Sequence, residues 1–262
     1  APERAPRLIT TTAQRLRRLD AAGVETVLLV PFSLDFARLT PAEFADQVLH
    51  RTLDARVVMV GEDFRFGHKQ SGDLETLRAL GQQFGFTVEA IHDIHAGTRS
   101  SGLRISSTGI RTLIAQGNVS RACRLMGTPF ALEGPVVSGH GIGRTQTVPT
   151  LNLAAENELL PRNGVYITRT RFEPNGVPVP SITNVGVRPT FQGTSLSVET
   201  FLLTEGPVET PARIEVEFLS WVRDEKKFAT PEALKARIFR DVKSARRFHA
   251  KFPPTLAKTR VG

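Results

Sequence analysis

The sequence predicts an α/β domain followed by an all-β domain that carries a terminal helix. Up to about Met126, segments with apolar residues at helical spacing alternate with short strand-like runs. From about Phe130 the apolar residues recur at every second position between Gly, Pro and Asn, and a run from Thr230 returns to the helical period. Alternating helices and strands imply a parallel sheet with helical crossovers. Short period-two runs separated by turn residues imply an antiparallel barrel or sandwich.

Residues 10–22 form a helix with Leu16 and Leu19 inward and Gly23 as its stop, and Thr26 to Val30 reads as a short buried strand. Thr40-Pro-Ala-Glu43 is a capping box with proline at the first helical position, opening a helix that carries Phe44, Val48 and Leu49. Val57–Val60 is the next strand, Leu74 to Phe84 a helix with Leu77 and Leu80 on one face, and Phe86–Ile91 another strand. Two short helices open at Ser107 and Asn118. Strands come next at Val165–Thr170, Ser181–Val187, Leu196–Leu203 and Ile214–Phe218. The helix from Thr230-Pro-Glu carries Leu234, Ile238, Val242 and Ala245 on one stripe, which faces the sheet. The boundary falls near Gly127-Thr-Pro129, giving domains 1–127 and 128–250 and a mobile basic tail at 251–262.

The chain has 262 residues, 40% hydrophobic and 23% charged, enough for two ordinary domains with a sizeable core. Its formal net charge of +8 suits anionic partners, nucleotide phosphates and nucleic acid among them, although Lys and Arg are scattered rather than clustered. Cys123 is the single cysteine, so neither an intrachain disulfide nor a thiolate zinc site is available, and its place on a helix suits a core or boundary thiol. No apolar run approaches the roughly 18 to 20 residues that span a bilayer, and no signal-peptide core is present, so a cytoplasmic protein is expected.

The densest chemistry lies in Gly139-His-Gly-Ile-Gly-Arg-Thr-Gln-Thr-Val-Pro-Thr-Leu-Asn152. Gly139, Gly141 and Gly143 let the backbone approach an anion closely, and Arg144 adds a fixed cation for phosphate oxygens. Thr150 and Asn152, two apart in an extended segment, share a face and offer neutral oxygens to one hard cation such as Mg2+. A glycine-rich turn taken alone merely turns. Glu199 is a lone carboxylate in the strand-like run Ser-Leu-Ser-Val-Glu-Thr-Phe-Leu-Leu, where an outward solvated acid is the plain alternative to a general base.

Two further motifs stand in the first half. Ile105-Ser-Ser-Thr-Gly-Ile-Arg111 puts Ser106, Ser107 and Thr108 where a helix begins, with free N–H groups for an anion and Arg111 about one turn further on; an ordinary hydroxyl cap explains the same residues. Gly61-Glu-Asp-Phe-Arg-Phe-Gly67 comes directly after a strand, so Asp63, Phe64, Arg65 and Phe66 sit at the carboxyl edge of the sheet, where open α/β sheets bind ligands. Phe64 and Phe66 either stack on a planar ring or fill the top of the core.

The run G-R-T-x-x-x-P-T-x-N, with Gly164-Val-Tyr166, Asn184-Val-Gly-Val-Arg-Pro-Thr-Phe191 and Val198-Glu-Thr200 after it, resembles the riboflavin kinase module of bacterial bifunctional riboflavin kinase/FAD synthetases over residues 129–228. The motifs G-E-D-F-R-F-G and I-S-S-T-x-I-R resemble the FMN adenylyltransferase module of the same family. The resemblance implies a Rossmann-like nucleotidylyltransferase domain, then a riboflavin-kinase-like barrel that transfers the ATP γ-phosphoryl group to riboflavin with Mg2+. Glu199 would be the base, Thr150 and Asn152 the metal and phosphate contacts, and Gly139, Gly141, Gly143 and Arg144 a flap over the nucleotide. Asn184, Arg188, Pro189 and Thr190 would belong to a second mobile loop near the substrates, and Arg223 to Phe228 would border the isoalloxazine ring. Asp63 to Phe66 would line a flavin site, and Ser106, Ser107, Thr108 and Arg111 would grip ATP.

The resemblance has departures. Gln146-Thr-Val148 and Leu151 replace commoner residues in the kinase motif. The family's His-x-Gly-His element is absent, since His92-Asp-Ile-His95 has another interval. The residues from Pro6 onward resemble the segment that lies downstream of that element in the family. An upstream segment is therefore expected beyond these 262 residues, and FAD synthesis by these residues alone is not. The competing readings are a nucleic-acid-binding protein or a flavin- or nucleotide-binding protein without chemistry; partners on the kinase reading are riboflavin, FMN and ATP, without nucleic acid or membrane.

Overall fold

The computed structural model describes residues 5–97, 102–137, 150–172, 176–190, 193–204, 210–226 and 228–253. In chain order the helices are α1 (Thr12–Ala21), α2 (Pro41–Phe44), α3 (Leu74–Phe84), α4 (Ser107–Ala115), α5 (Val119–Met126) and α6 (Pro231–Lys251). The strands are β1 (Val57–Gly61), β2 (Thr87–Ile91), β3 (His95–Ala96), β4 (Leu103–Arg104), β5 (Phe130–Val137), β6 (Thr150–Leu153), β7 (Gly164–Phe172), β8 (Val179–Thr190), β9 (Gly193–Leu202) and β10 (Arg213–Arg223). Contacts divide the chain into two compact units, residues 24–105 and residues 1–23 with 106–262. This division differs from the change of periodicity near residue 127, because α5 packs against β10 and β5, and Gln14 and Arg17 of α1 bind Ala131, Glu133 and Glu215 of the barrel.

In the 24–105 unit, β1 and β2 pair in parallel with Val57 opposite Thr87, joined by α3 as the alternation of patterns requires. Asp73 caps α3 by accepting from Thr76 N–H at 2.9 Å, and Gly85 ends the helix in the left-handed conformation at φ 86°. Thr40 and Glu43 form the expected capping box, but the helix continues as a π-helical stretch from Ala45 to Thr52. That winding brings residues five apart together: Arg51 donates to Asp46 at 3.0 Å and Thr52 to the Gln47 carbonyl at 2.7 Å. Ala45, Leu49, Phe66, Leu77 and Phe86 form the core.

The buried strand expected at Thr26–Val30 does not form. Residues 24–33 are irregular, and Leu28, Leu29, Phe32 and Leu34 are 49, 61, 81 and 78% exposed. An apolar run states a preference for burial and no more; a strand needs a neighbour for its backbone groups, and no described strand pairs here.

The larger unit is a closed six-stranded barrel in the order β10-β5-β6-β9-β8-β7, with its described pairs all antiparallel. Alternation gives each strand an inner and an outer set. Inside lie Leu132, Tyr166, Val216 and Phe218, with a chain of buried hydroxyls: Thr170 to Ser181, Ser181 to Thr168, Thr168 to Thr183 and Thr183 to Thr200, at 2.7–2.9 Å. Each hydroxyl can donate once and accept, which is how five polar side chains are buried together without loss. Outside, Val165, Ile167 and Ile182 are covered by Ala245, Val242 and Phe248 of α6. Gly134 of β5 allows a close crossing, since a Cβ there would stand 2.0 Å from the Ala154 carbonyl oxygen.

Thr230 caps α6, as its sequence predicts. The apolar stripe is only half used: Val242 and Ala245 pack inward, but Leu234 and Ile238 are each 42% exposed. Asp241 and His249 are buried instead. Burial holds the His249 pKa below the ordinary imidazole value of 6.5, with main-chain groups of Ser181 and Thr168 opposing the shift and Arg169 adding to it. A depressed histidine binds fewer protons when folded than when unfolded, so its neutral form supports the fold above pH 6.5 and that support is lost as pH falls below it. The melting temperature is expected to drop between pH 7.5 and pH 5.5, and His249→Leu to flatten that drop; an unaltered slope in His249→Leu shows that another group governs it.

Candidate active site

Strand register assembles the candidate site. Asn152 of β6 lies opposite Glu199 of β9, and Glu199 opposite Asn184 of β8; the line continues through Val165 of β7 to Arg223 of β10. One step along β6, Thr150 begins a parallel line through Phe201, Ile182 and Ile167. The inward neighbours Leu151, Leu153, Val198, Thr200 and Thr183 are buried, so Thr150, Asn152, Glu199 and Asn184 project from the outer wall. Three neutral oxygen-bearing side chains and a carboxylate thus share one face, while the rest of the adjoining line, Phe201, Ile182 and Ile167, is apolar.

Ser197, two residues before Glu199 and on the same face, donates its hydroxyl to Glu199 Oε1 at 3.0 Å. Opposite Ser197 stands Gly186, where a Cβ would come within 2.2 Å of Glu225 Oε1, so the missing side chain admits the turn after β10. At the end of the line Arg223 binds Asp241 of α6 at 2.8 Å, and Asp241 also binds Arg237 at 3.1 Å. Ser197 was legible from the two-residue period. Asp241 was not: nothing in a basic helix singles out one acid, and only its burial at 4% exposure does so.

The Gly139, Gly141, Gly143 and Arg144 flap lies outside the described residues. Arg188, Pro189 and Thr190, implied by the resemblance to lie in a mobile loop, instead extend β8 past the strand expected at Ser181–Val187 and stand opposite Ser195, Thr194 and Gly193 in a hairpin with β9. The alternating apolar positions end at Val187, but ladder hydrogen bonding to β9 carries the strand on.

The amino-terminal motifs fall in different units, and each is described by itself. Phe66 is 6% exposed in the core and stacks on Phe64 with centroids 5.4 Å apart and planes 12° apart, so the core-filling reading holds for Phe66. Arg65 donates to the Phe64 carbonyl at 3.1 Å. Asp63 binds Arg104 at 2.6 Å, which holds its carboxyl below the usual range, and Arg104 also binds Asp93 at 2.8 Å. In the larger unit Ser106 caps α4, accepting from Gly109 N–H at 3.2 Å, while Ser107 and Thr108 stay exposed in its first turn. Arg111 donates to the Arg7 carbonyl at 2.8 Å, so its guanidinium has a main-chain partner already. Burial pushes the Cys123 thiol pKa up, which suits a boundary thiol and not a nucleophile.

Known proteins resemble this chain over most of its length. A family model for riboflavin kinase matches residues 126–249, and one for FAD synthetase matches residues 1–109. A bifunctional riboflavin kinase/FMN adenylyltransferase of Escherichia coli strain K12 is 36% identical over 248 residues, covering 95% of this chain and 78% of that protein. A protein of the same description from Pseudomonas fluorescens is 35% identical over 246 residues, covering 94% and 77%. A crystal structure described as a macrolide-efflux protein from Streptococcus pneumoniae is similar with a TM-score of 0.80 and 30% identity, covering 91% of this chain and 75% of that one. Among the described residues here, no helix is long and apolar enough to cross a membrane.

The cap at Ser106 allows a direct check. Ser106→Ala is expected to lower stability by about 1 kcal/mol in chemical denaturation, with Ser107→Ala near neutral; equal effects would mean that the cap geometry is not what Ser106 supplies.

Proposed function

Because the chain belongs to the bifunctional riboflavin kinase/FMN adenylyltransferase family, we propose that its carboxyl-terminal domain, residues 128–250, transfers the γ-phosphoryl group of ATP to the 5′-hydroxyl of riboflavin to give FMN. The observation that carries this reading is the line Asn152–Glu199–Asn184 with Thr150 beside it on the outer wall of the barrel. Phosphoryl transfer asks little covalent chemistry of a protein; it needs alignment, charge neutralisation and a group to take the nucleophile's proton.

Glu199 is the one carboxylate in that line, and its role is to accept the proton of the attacking hydroxyl. Ser197 restricts its rotamers by donating to Oε1, so the carboxylate is oriented before substrate arrives. Thr150 and Asn152 fit Mg2+ by their chemistry: neutral oxygens that leave most of the coordination shell to water and nucleotide phosphates are what a small hard cation with a tightly held hydration shell accepts. Bound there, Mg2+ would neutralise charge on the phosphates. Arg144 and the three glycines before it complete the phosphate contacts on this reading, and Arg188, Pro189 and Thr190 flank the acceptor side.

Residues 1–127 are the proposed adenylyltransferase-like domain, with Asp63 to Arg65 toward flavin and Ser106 to Arg111 toward ATP. Substrates of this kind suit a cytoplasmic protein, and a net charge of +8 suits ATP phosphates as well as it would nucleic acid, which we do not propose as a partner.

Incubation with riboflavin, ATP and Mg2+, with chromatographic separation of riboflavin, FMN and FAD, tests both activities. FMN is the expected product; FAD alongside it would assign adenylylation to these residues as well, and neither product would overturn the kinase reading. Glu199→Ala is expected to lower kcat by about 10²- to 10⁴-fold with much nucleotide binding retained, whereas Asn152→Ala is expected to raise the KM for Mg-ATP. Wild-type turnover in Glu199→Ala would remove it from the role of base.

A further inference from the structure

We propose that the pocket between the last turns of α6 and the start of β8 binds a compact phosphate-type oxyanion, held by Arg246 and a ring N–H of His249. Strand pairing places this pocket on the barrel wall. Arg169 of β7 stands opposite Pro180 of β8, and Leu203, which follows β9, donates its N–H to the Pro180 carbonyl at 2.8 Å. Pro180 precedes Asn184 on β8 by about 13 Å at the ordinary rise per residue. The pocket is therefore separate from the line that holds Glu199.

Pro180 and Leu203 supply its apolar lining, Arg246 and His249 its polar lining, around a volume of about 240 Å3. That is smaller than the roughly 300 to 1,000 Å3 of sites for larger organic ligands, and it suits an ion or a small ester. His249 is 7% exposed, and among the described residues neither of its ring nitrogens has a hydrogen-bond partner. The main chain of Ser181 and Thr168 lies close enough to favour its proton without completing such a bond. Buried polar groups are paired as a rule, so an unpaired imidazole that lines a cavity points to a ligand.

The charges around the ring set the sign of that ligand. Arg246 is exposed one turn before His249 and forms no ion pair among the described residues, while Arg169 stands near enough to disfavour a second cation at the ring. Glu217 does not offset Arg246, because it is already shared between Arg169 at 3.1 Å and Arg171 at 3.0 Å. An anion in the pocket relieves the repulsion between these cations and accepts from the imidazole, so it binds the protonated ring more tightly than the neutral one. The last turn of a helix carries partial negative charge, which opposes an anion; Arg246 is the cation that outweighs it.

The test follows His249 in nitrogen-resolved NMR spectra of the histidine-labelled protein, its signal identified by loss in His249→Gln. Added inorganic phosphate, at constant ionic strength, is expected to shift that signal saturably and to raise the His249 pKa by about one unit, which corresponds to about tenfold tighter binding by the protonated ring. Arg246→Gln is expected to abolish the saturable shift while keeping the wild-type melting temperature and FMN formation, and Arg247→Gln, at the neighbouring exposed position, to behave as wild type. Phenyl phosphate distinguishes the source: about tenfold tighter binding than inorganic phosphate assigns the pocket to an organic monoester that uses Pro180 and Leu203, and equal binding assigns it to the free ion. A shift that does not saturate, or an equal loss in Arg246→Gln and Arg247→Gln, would overturn the proposal. Because the readout is local to His249, absence of FMN formation would sink the kinase reading and leave the pocket to be judged by its own titration.

Discussion

Everything proposed for the catalytic face depends on the pairing of β9 with its two neighbours. Glu199 has Asn152 on one side and Asn184 on the other because β9 runs antiparallel to both β6 and β8 in a barrel that closes on itself. Residues 152, 184 and 199 are remote in sequence, and a slip of one residue in either pairing would turn Glu199 into the interior while Thr200 faced out. The buried hydroxyl chain guards against larger slips. Two residues of slip between β8 and β9 would preserve inside and outside but would separate Thr183 from Thr200, breaking the buried hydroxyl chain at that link.

The same barrel shows why a catalytic constellation can sit on an outer wall. The interior is filled by Tyr166, Phe218 and the hydroxyls, so a site must be built where alternating residues face out and a second element gives shelter. Here the outer wall is apolar under α6 and polar just past it. The change occurs between neighbouring lines of one sheet, Ile182 to Asn184 on β8 and Phe201 to Glu199 on β9. Packing and chemistry are thereby divided at a spacing of two residues.

Features set by neighbours along the chain were legible in the sequence. The Thr40–Glu43 capping box, the Ser106, Asn118 and Thr230 caps and the period-two strands of the barrel all lie where their residues indicate. Extended spacing placed Thr150 and Asn152 on one face. Features set by distant partners were not legible. The Thr26 to Val30 run had the composition of a strand but no described neighbour, and Leu234 and Ile238 had the spacing of a core stripe but stay 42% exposed. The π-helical winding after Phe44 brings together pairs five residues apart that helical periodicity does not anticipate. Asp241 was invisible for a related reason: its importance comes from two arginines that the fold brings to it.

The exposed segment near Leu28 has a consequence for the protein as a solute. Leu28, Leu29, Phe32 and Leu34 present a run of greasy surface within seven residues, a sticky patch by the standard of ordinary protein surfaces. What keeps two such molecules apart in dilute buffer is their mutual repulsion at a net charge of +8. That repulsion reaches about 8 Å at physiological ionic strength and about 3 Å at 1 M salt, whereas attraction between apolar patches does not weaken with sodium chloride. Colloidal stability in this chain therefore runs opposite to the common practice of adding salt to keep a basic protein in solution.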